Sequence, residues 1–224
     1  MTPLLTICVP TYNRRDHTEK LLLILCDRLL LGGNYNVEVV VSDNRSSDGT
    51  AELKQTFVGK GVRWITQPTF LPTAEAHMVA CSQQCSGEYI WFIGDDDLPH
   101  RENFDWLYEI LESDRYDYML VNAPLMGLDG VIANPRPIIV QREIIEAPIQ
   151  AIVEATGITF LFGGVSTHIM RRSLLSKEVG EFYLNAAPIY SQAGWIMDCF
   201  KSARCAFINR PLLLYRETDY RDGH

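Results

Sequence analysis

A three-layer α/β fold built on a mostly parallel sheet is the architecture expected of this chain, and three observations lead to it. Strand-like and helix-like segments alternate through residues 4–122, a rhythm that builds right-handed crossovers in one sheet. The run Gly87-Glu88-Tyr89-Ile90-Trp91-Phe92-Ile93 has the β-branched and aromatic content of a buried parallel strand. At 224 residues, 47% hydrophobic and 21% charged, the chain has the size and composition of one globular domain with a substantial core.

Element by element, residues 4–9 read as a strand, 10–15 as a loop and 16–31 as a helix. Asp16 and Glu19 lie in its first turn, where the helix dipole favours acids, and Gly32-Gly33 ends it. A second strand is expected over 37–42, a polar turn over 43–49, a short helix over 50–57 and a third strand over 62–66. Residues 72–84 should be helical and feed the strand at 87–93, with a further helix over 103–113. Asp48 with Thr50 is placed to cap the helix that begins there.

After a strand at 118–122 the rhythm changes. Residues 126–131 carry a turn signal, and Pro135, Pro137 and Pro148 interrupt the chain before a helix at 149–155. Residues 160–170 are apolar around Gly163-Gly164, residues 190–202 should form a helix, and 206–208 and 212–215 late strands. His168, on an apolar strand, reads as a hydrogen-bonded core histidine. No repeat or low-complexity segment interrupts the single domain over 1–224, whose first half, 1–120, has the nucleotide-binding type of layout.

A formal net charge of −8 with no Lys/Arg run argues against nucleic acid as a partner. Six cysteines without a paired CxxC pattern, several inside apolar runs, point to reduced thiols and a cytoplasmic setting. The apolar start lacks the basic leader of a signal peptide, and residues 21–31 are interrupted by Asp27 and Arg28, so no membrane span is expected.

Directly after the strand at 87–93 comes Gly94-Asp95-Asp96-Asp97. Adjacent carboxylates raise one another's pKa unless a cation or a set of donors neutralises them. In isolation such a triplet is as readily a solvated acidic turn. At the carboxyl end of a buried parallel strand, where open α/β sheets bind ligands, it reads as hard oxygen ligands for Mg²⁺ or Mn²⁺ shared with a substrate's phosphates.

Taken together, Val9-Pro10-Thr11-Tyr12-Asn13-Arg14, Val41-Ser42-Asp43-Asn44-Arg45-Ser46-Ser47-Asp48-Gly49-Thr50, Gly87-Glu88-Tyr89-Ile90 and the acidic triplet resemble the inverting family 2 glycosyltransferases of the GT-A fold. The likeness covers residues 4 to about 110. It implies a GT-A α/β/α sandwich with a nucleotide-sugar-binding half (1–120) and a smaller, mixed, acceptor-binding half (121–224).

By that resemblance Pro10, Thr11, Tyr12 and Arg14 belong to the nucleotide-sugar site, Tyr12 packing on the nucleobase. Asp43 would accept a hydrogen bond from a base N–H, with Asn44 standing where many relatives have a second acid. The triplet would be the DxD motif, Asp95 toward ribose and Asp96 and Asp97 near the metal. Gly163 and Gly164 would form the loop that lets the acceptor approach, and Trp195 would stand on the acceptor side. Arg216 would close over the pyrophosphate. Relatives carry an acidic pair before that Trp, but Pro188-Ile189-Tyr190-Ser191-Gln192-Ala193-Gly194-Trp195 has none. Asp198 is the nearest substitute for the general base, with Glu181 or Glu178 approaching from the preceding loop.

The implied reaction is metal-dependent, inverting transfer from a nucleotide-diphosphate sugar to a saccharide or lipid-linked saccharide acceptor, in bacterial surface polysaccharide or O-antigen assembly. A lipid-linked acceptor would bring the protein to the inner face of the membrane without a spanning segment. Two rivals stand beside it. One is a sugar nucleotidyltransferase, which should open with a glycine-rich phosphate loop that residues 10–14 lack. The other is a non-catalytic sugar-nucleotide-binding module, suggested by the missing acidic pair.

Overall fold

The computed structural model describes residues 2–30, 35–127, 131–134, 141–157, 164–187 and 190–216. In chain order the first part holds β1 (Leu5–Thr11), α1 (Arg15–Leu25), β2 (Val37–Asp43), α2 (Leu53–Phe57), β3 (Val62–Thr66), α3 (Ala74–Ser82), β4 (Tyr89–Phe92), β5 (Leu98–Pro99), α4 (Phe104–Glu112) and β6 (Tyr118–Val121). The second part adds β7 (Leu125–Met126), β8 (Ile132–Asn134), β9 (Ile144–Glu146), α5 (Ile149–Thr156), β10 (His168–Arg171), α6 (Lys177–Ala186), α7 (Ser191–Phe200), β11 (Cys205–Ile208) and β12 (Leu213–Arg216).

Among the described residues, eight strands form one sheet in the order β3-β2-β1-β4-β10-β6-β11-β9. β1 pairs in parallel with β2 and β4, β2 with β3, and β6 with β11. β10 is the exception near the centre, running antiparallel to both β4 and β6. A smaller mixed sheet, β5-β12-β7-β8, lies apart.

The central strands are apolar on both faces because helices cover both. Ile7, Val9, Val39, Val41, Ile90 and Phe92 are solvent-free. α1 repeats its buried side chains at helical spacing, Thr18, Leu21, Leu22 and Leu25, and so lays one stripe on the sheet.

At the end of the sheet away from the strands' carboxyl termini, Asp117 ties three strands together. Its carboxylate accepts from Arg204 Nη2 at 2.8 Å and Nε at 3.0 Å, from the Arg204 backbone N–H at 3.0 Å, and from Arg171 Nε at 2.7 Å. Hydrogen bonds from Arg204 first, and from Arg171, hold this carboxyl well below the usual range despite partial burial. The Arg171 guanidinium also lies 4.6 Å from the Tyr89 ring centroid, and burial pushes the Tyr89 phenol up to about 12.

Several boundaries differ from expectation for physical reasons. The helix expected over 16–31 is regular only to Leu25 and continues as a π-helical turn, Cys26–Leu30. The helix expected from 72 starts at Ala74, because Thr73 caps it, its Oγ1 accepting from Ala76 N–H at 3.1 Å. The stretch before α7, read as a loop carrying Glu178 and Glu181, is instead α6, capped by Ser176 Oγ accepting from Val179 N–H at 3.2 Å. Asp48 accepts from Thr50 N–H at 2.9 Å, as its capping role requires. Among the described residues, no helix is long and apolar enough to cross a membrane.

Candidate functional site

Parallel pairing aligns Thr11 at the end of β1 with Asp43 at the end of β2, and Cys8 with Phe92 of β4. The carboxyl ends of three strands therefore share one edge, where sheets of this kind take their ligands. A cleft of about 410 Å³ opens there, a size suited to a small molecule. It is lined by Pro10 and Thr11 at the end of β1, Tyr12 and Arg14 after it, Asn44 after β2, Phe70, Leu71, Pro72 and Thr73 between β3 and α3, Ala74 and His77 of α3, and Gly94, Asp95, Asp96 and Asp97 after β4. Because β10 runs the other way, its leading segment, Val165 and Ser166, reaches the same edge.

Three adjacent carboxylates are held by three different donors. Thr11 Oγ1 donates to Asp95 Oδ2 at 2.7 Å, itself accepting from Thr18 Oγ1 at 2.8 Å. Arg14 Nη1 donates to Asp96 Oδ2 at 2.8 Å and stands 3.7 Å from Asp95 Oδ1. Ser166 Oγ donates to Asp97 Oδ2 at 2.5 Å and accepts from Gly94 N–H at 2.7 Å. The Ser166 carbonyl accepts from Trp91 Nε1 at 2.8 Å, fixing the segment against β4. A Cβ on Gly94 would meet Asp96 Oδ1 at 2.9 Å and Asp97 Oδ2 at 3.3 Å, so glycine is what lets the turn fold its carboxylates back over its own backbone.

Asp43 is solvent-free. Its Oδ1 accepts from Ser46 N–H at 2.9 Å, while Oδ2 is buried without a hydrogen-bond partner. An unsatisfied buried acceptor costs about 1–3 kcal/mol, and such a group is a place where a ligand donor is welcome. The loops after β1 and β2 are laced together beside it. Ser46 Oγ accepts from Asn13 N–H at 2.9 Å, and Asn13 Oδ1 accepts from Ser47 N–H at 2.8 Å. Asn13 and Arg45 both adopt left-handed backbone, φ 51° and 67°, a cost tolerated where surrounding bonds over-determine the loop.

Below the cleft, His77 Nε2 meets Ser42 Oγ at 2.8 Å, and Gln67 Nε2 donates to Ser42 Oγ at 2.7 Å and to Gln84 Oε1 at 2.9 Å. Burial pushes the neighbouring Cys81 thiol up, but hydrogen bonds from Cys8 and His77 outweigh it and pull the thiol below its usual value.

Of the residues expected at the site, Pro10, Thr11, Tyr12, Arg14, Asp95, Asp96 and Asp97 meet at the cleft. Asp43 sits at the end of β2 beside cleft-lining Asn44. Gly164 is buried, its carbonyl accepting from Thr167 Oγ1 at 3.1 Å; Gly163 lies outside the described residues. Arg216 ends β12 next to cleft-lining Tyr215, and its side chain lies outside the described part, as do residues 217–224 with His224. His168 is a core histidine, its Nδ1 2.7 Å from Tyr118 Oη.

Asp198, Glu181 and Trp195 are not brought to the cleft. Asp198 pairs with Lys201 at 2.7 Å one turn along α7, and Glu181 with Lys177 at 3.2 Å along α6, both side chains well exposed. Neither lines the cleft. Trp195 is 1% exposed and donates from Nε1 to Ser176 O at 2.8 Å, so it braces α6 against α7. A wider groove of about 760 Å³ at the far end of the sheet, lined by Asp114, Arg115, Glu146, Lys201 and Arg204, has its charges engaged in ion pairs with one another or with Asp117 and Asp198.

Asn44, Phe70 and Ser166 line the cleft without having been singled out for a binding role. Asn44 was visible only as a departure from an acid, and Ser166 only as a neighbour of the glycine pair. As for a metal, no group of three His, Cys, Asp or Glu side chains converges among the described residues. The donors at the turn are hard carboxylate oxygens, which fit an ion such as Mg²⁺ or Mn²⁺ that uses one or two protein ligands and completes its shell with water and phosphate.

Among known proteins, the chain is 29% identical over 136 residues to the abequosyltransferase RfbV of Salmonella typhimurium, covering 59% of this chain and 40% of that protein. It is 27% identical over 124 residues to the glycosyltransferase GlyG of Streptococcus pneumoniae serotype 4, covering 54% and 40%. The matches thus span about two-fifths of those relatives' length. The fold superposes on S. aureus TarS 1-349 in complex with UDP with a TM-score of 0.72 at 19% identity, over 96% of this chain and 60% of that one. The complex of the same protein with UDP-GlcNAc gives 0.72 over 96% and 59%. The α/β sandwich is therefore of the GT-A type. The model of glycosyl transferase family 2 matches residues 6–178, and the chain belongs to that family.

Proposed function

We propose that the cleft binds a nucleotide-diphosphate sugar and that the chain transfers the sugar to an acceptor hydroxyl by a single displacement that inverts the anomeric carbon. The observation that carries this reading is the buried, unpartnered Oδ2 of Asp43, next in the chain to Asn44 at the edge of a cleft lined by an exposed tyrosine and three acids. That unpartnered oxygen is an acceptor, and so suits the ring N–H of uracil, thymine or guanine. Tyr12, 42% exposed, offers a face for the base. Asp95, fixed by Thr11, stands toward the ribose.

Asp96 and Asp97 would hold Mg²⁺ or Mn²⁺, which supplies charge stabilisation to the departing diphosphate. Arg14 places a guanidinium between Asp95 and Asp96 and limits their mutual repulsion when the site is free of substrate. The likeness to an abequosyltransferase and to a protein crystallised with UDP-GlcNAc supports a sugar-nucleotide donor and a role in surface polysaccharide or O-antigen assembly; the proposed acceptor is a saccharide or lipid-linked saccharide on the cytoplasmic side of the membrane.

The test is a thermal-shift panel of UDP, GDP, CDP and dTDP, with and without Mn²⁺ or Mg²⁺, on wild type and on Asp96→Asn/Asp97→Asn. At a hundredfold excess over Kd a ligand adds about 2.7 kcal/mol, which for a chain this size raises Tm by about 5–10 °C. One metal-dependent hit that the double variant loses is expected. No shift with any nucleotide overturns the reading. Binding without transfer to any acceptor favours a binding module instead, a reading to which the placement of Asp198 and Glu181 away from the cleft lends weight.

A further inference from the structure

Across the mouth of the cleft from Tyr12 stands Phe70, and the two rings touch, centroids 5.0 Å apart and planes tilted by 57°. Phe70 is 52% exposed. Two large rings left in solvent over the cleft form an apolar patch with no structural use of their own.

The segment that carries Phe70 is tethered. Asn44 Nδ2 donates to Leu71 O at 2.8 Å, and Asn44 Oδ1 accepts from Leu71 N–H at 2.9 Å. Arg45 Nη1 adds a bond to Pro68 O at 3.1 Å, and Pro68 and Pro72 flank the loop. Only an amide makes both bonds to one residue's backbone; an aspartate at 44 would face the Leu71 carbonyl as a second acceptor. Asn44 in turn is fixed to β1 by its N–H donating to Thr11 O at 2.9 Å. The end of β2, which holds Asp43, thus sets the position of Phe70.

We infer that Phe70 is a further nucleobase-binding residue, the second wall of an aromatic slot closed on the other side by Tyr12, with Asn44 as its positioning residue. The inference rests on the nucleotide-sugar reading of the same cleft. A base lying between two rings needs their planes about 7 Å apart, two contacts of about 3.5 Å. The rings therefore separate by about 2 Å or more and turn toward parallel on binding, side-chain motions open to exposed residues. Their contact in the free protein is replaced by two ring–base contacts, and the tether means little loop ordering remains to be done at that moment.

The experiment measures binding of the four nucleoside diphosphates with Mn²⁺ to wild type, Phe70→Ala, Phe70→Trp and Asn44→Asp, together with the ligand-free melting temperature of each. Phe70→Ala is expected to weaken the preferred nucleotide by ~10-fold or more, the usual loss for one stacking ring. Its own melting temperature should stay at the wild-type value, since the ring is half exposed. Phe70→Trp should restore binding to within about threefold, because stacking needs a ring face rather than a particular ring. Asn44→Asp should weaken binding in between. Wild-type affinity in Phe70→Ala overturns the slot while leaving the donor reading in place; equal losses in Phe70→Ala and Phe70→Trp also overturn it. Absence of nucleotide binding in wild type overturns both.

Discussion

Replacing Ser166 by alanine isolates the contact that joins the acidic turn to β10. The hydroxyl donates to Asp97 Oδ2 at 2.5 Å and accepts from Gly94 N–H at 2.7 Å, and the residue is solvent-free. A hydrogen bond to a charged group contributes about 1.5–3 kcal/mol, and a buried N–H left unpaired costs about 1–3 kcal/mol. Water in the adjoining cleft can recover part of this, so the net loss comes to about 3 kcal/mol. For a domain of this size that lowers Tm by about 6–12 °C. Differential scanning calorimetry reads the stability, and titration with the nucleotide identified by the panel reads the site, where an unanchored Asp97 should weaken metal-dependent binding. A Tm within about 2 °C of wild type, or an unaltered nucleotide affinity, would refute the idea that Ser166 holds the turn in its working shape.

Two other outcomes are expected of the fold. Asp117→Asn, which strips the charge from a carboxylate bound by Arg171 and Arg204, should cost about 2–3 kcal/mol. Because the folded-state pKa of Asp117 is depressed, its stabilisation is present above the unfolded value near about 4 and is lost as pH falls through the folded value. The wild type should therefore lose more stability in acid than the variant does, as urea melts at pH 7 and pH 3 would show. Gly87→Ala should destabilise by about 3 kcal/mol, since a Cβ there would lie 2.5 Å from Thr6 N and 2.8 Å from Leu5 C, backbone that cannot step aside; an unchanged chemical denaturation curve would contradict this.

The features legible from residues alone were those encoded locally. The third strand runs Val62–Thr66 as expected, and the acidic triplet, Tyr12 and the ends of β1 and β2 lie at one edge, because strand ends in a parallel sheet share an edge by construction. α6 is masked in the sequence by Gly180, which sits mid-helix, where glycine is unfavourable; the structure explains it, for a Cβ there would meet Val79 Cγ2 at 2.8 Å. The roles of Ser166, Asn44 and Phe70 depend on partners 27–72 positions away in the chain, a distance over which no periodicity carries information. Asp198 and Glu181 were inferred from an expected position in the chain, and each instead has a lysine three or four residues away to satisfy it.

The antiparallel strand at the heart of the sheet has a consequence for how the protein is made. β10 fills the gap between β4 and β6, yet it leaves the ribosome some fifty residues after β6 and about eighty after β4 (171 against 121 and 92 at their last residues). Until it arrives, two apolar strands from the first half of the chain wait with unpaired edges, the state most prone to pair with a neighbour's edge instead. Closure across so long a stretch of chain is slow. A fragment ending near residue 120 would keep that edge open permanently, so the acidic turn, whose Asp97 is held from the β10 side, has no finished form in the first half by itself.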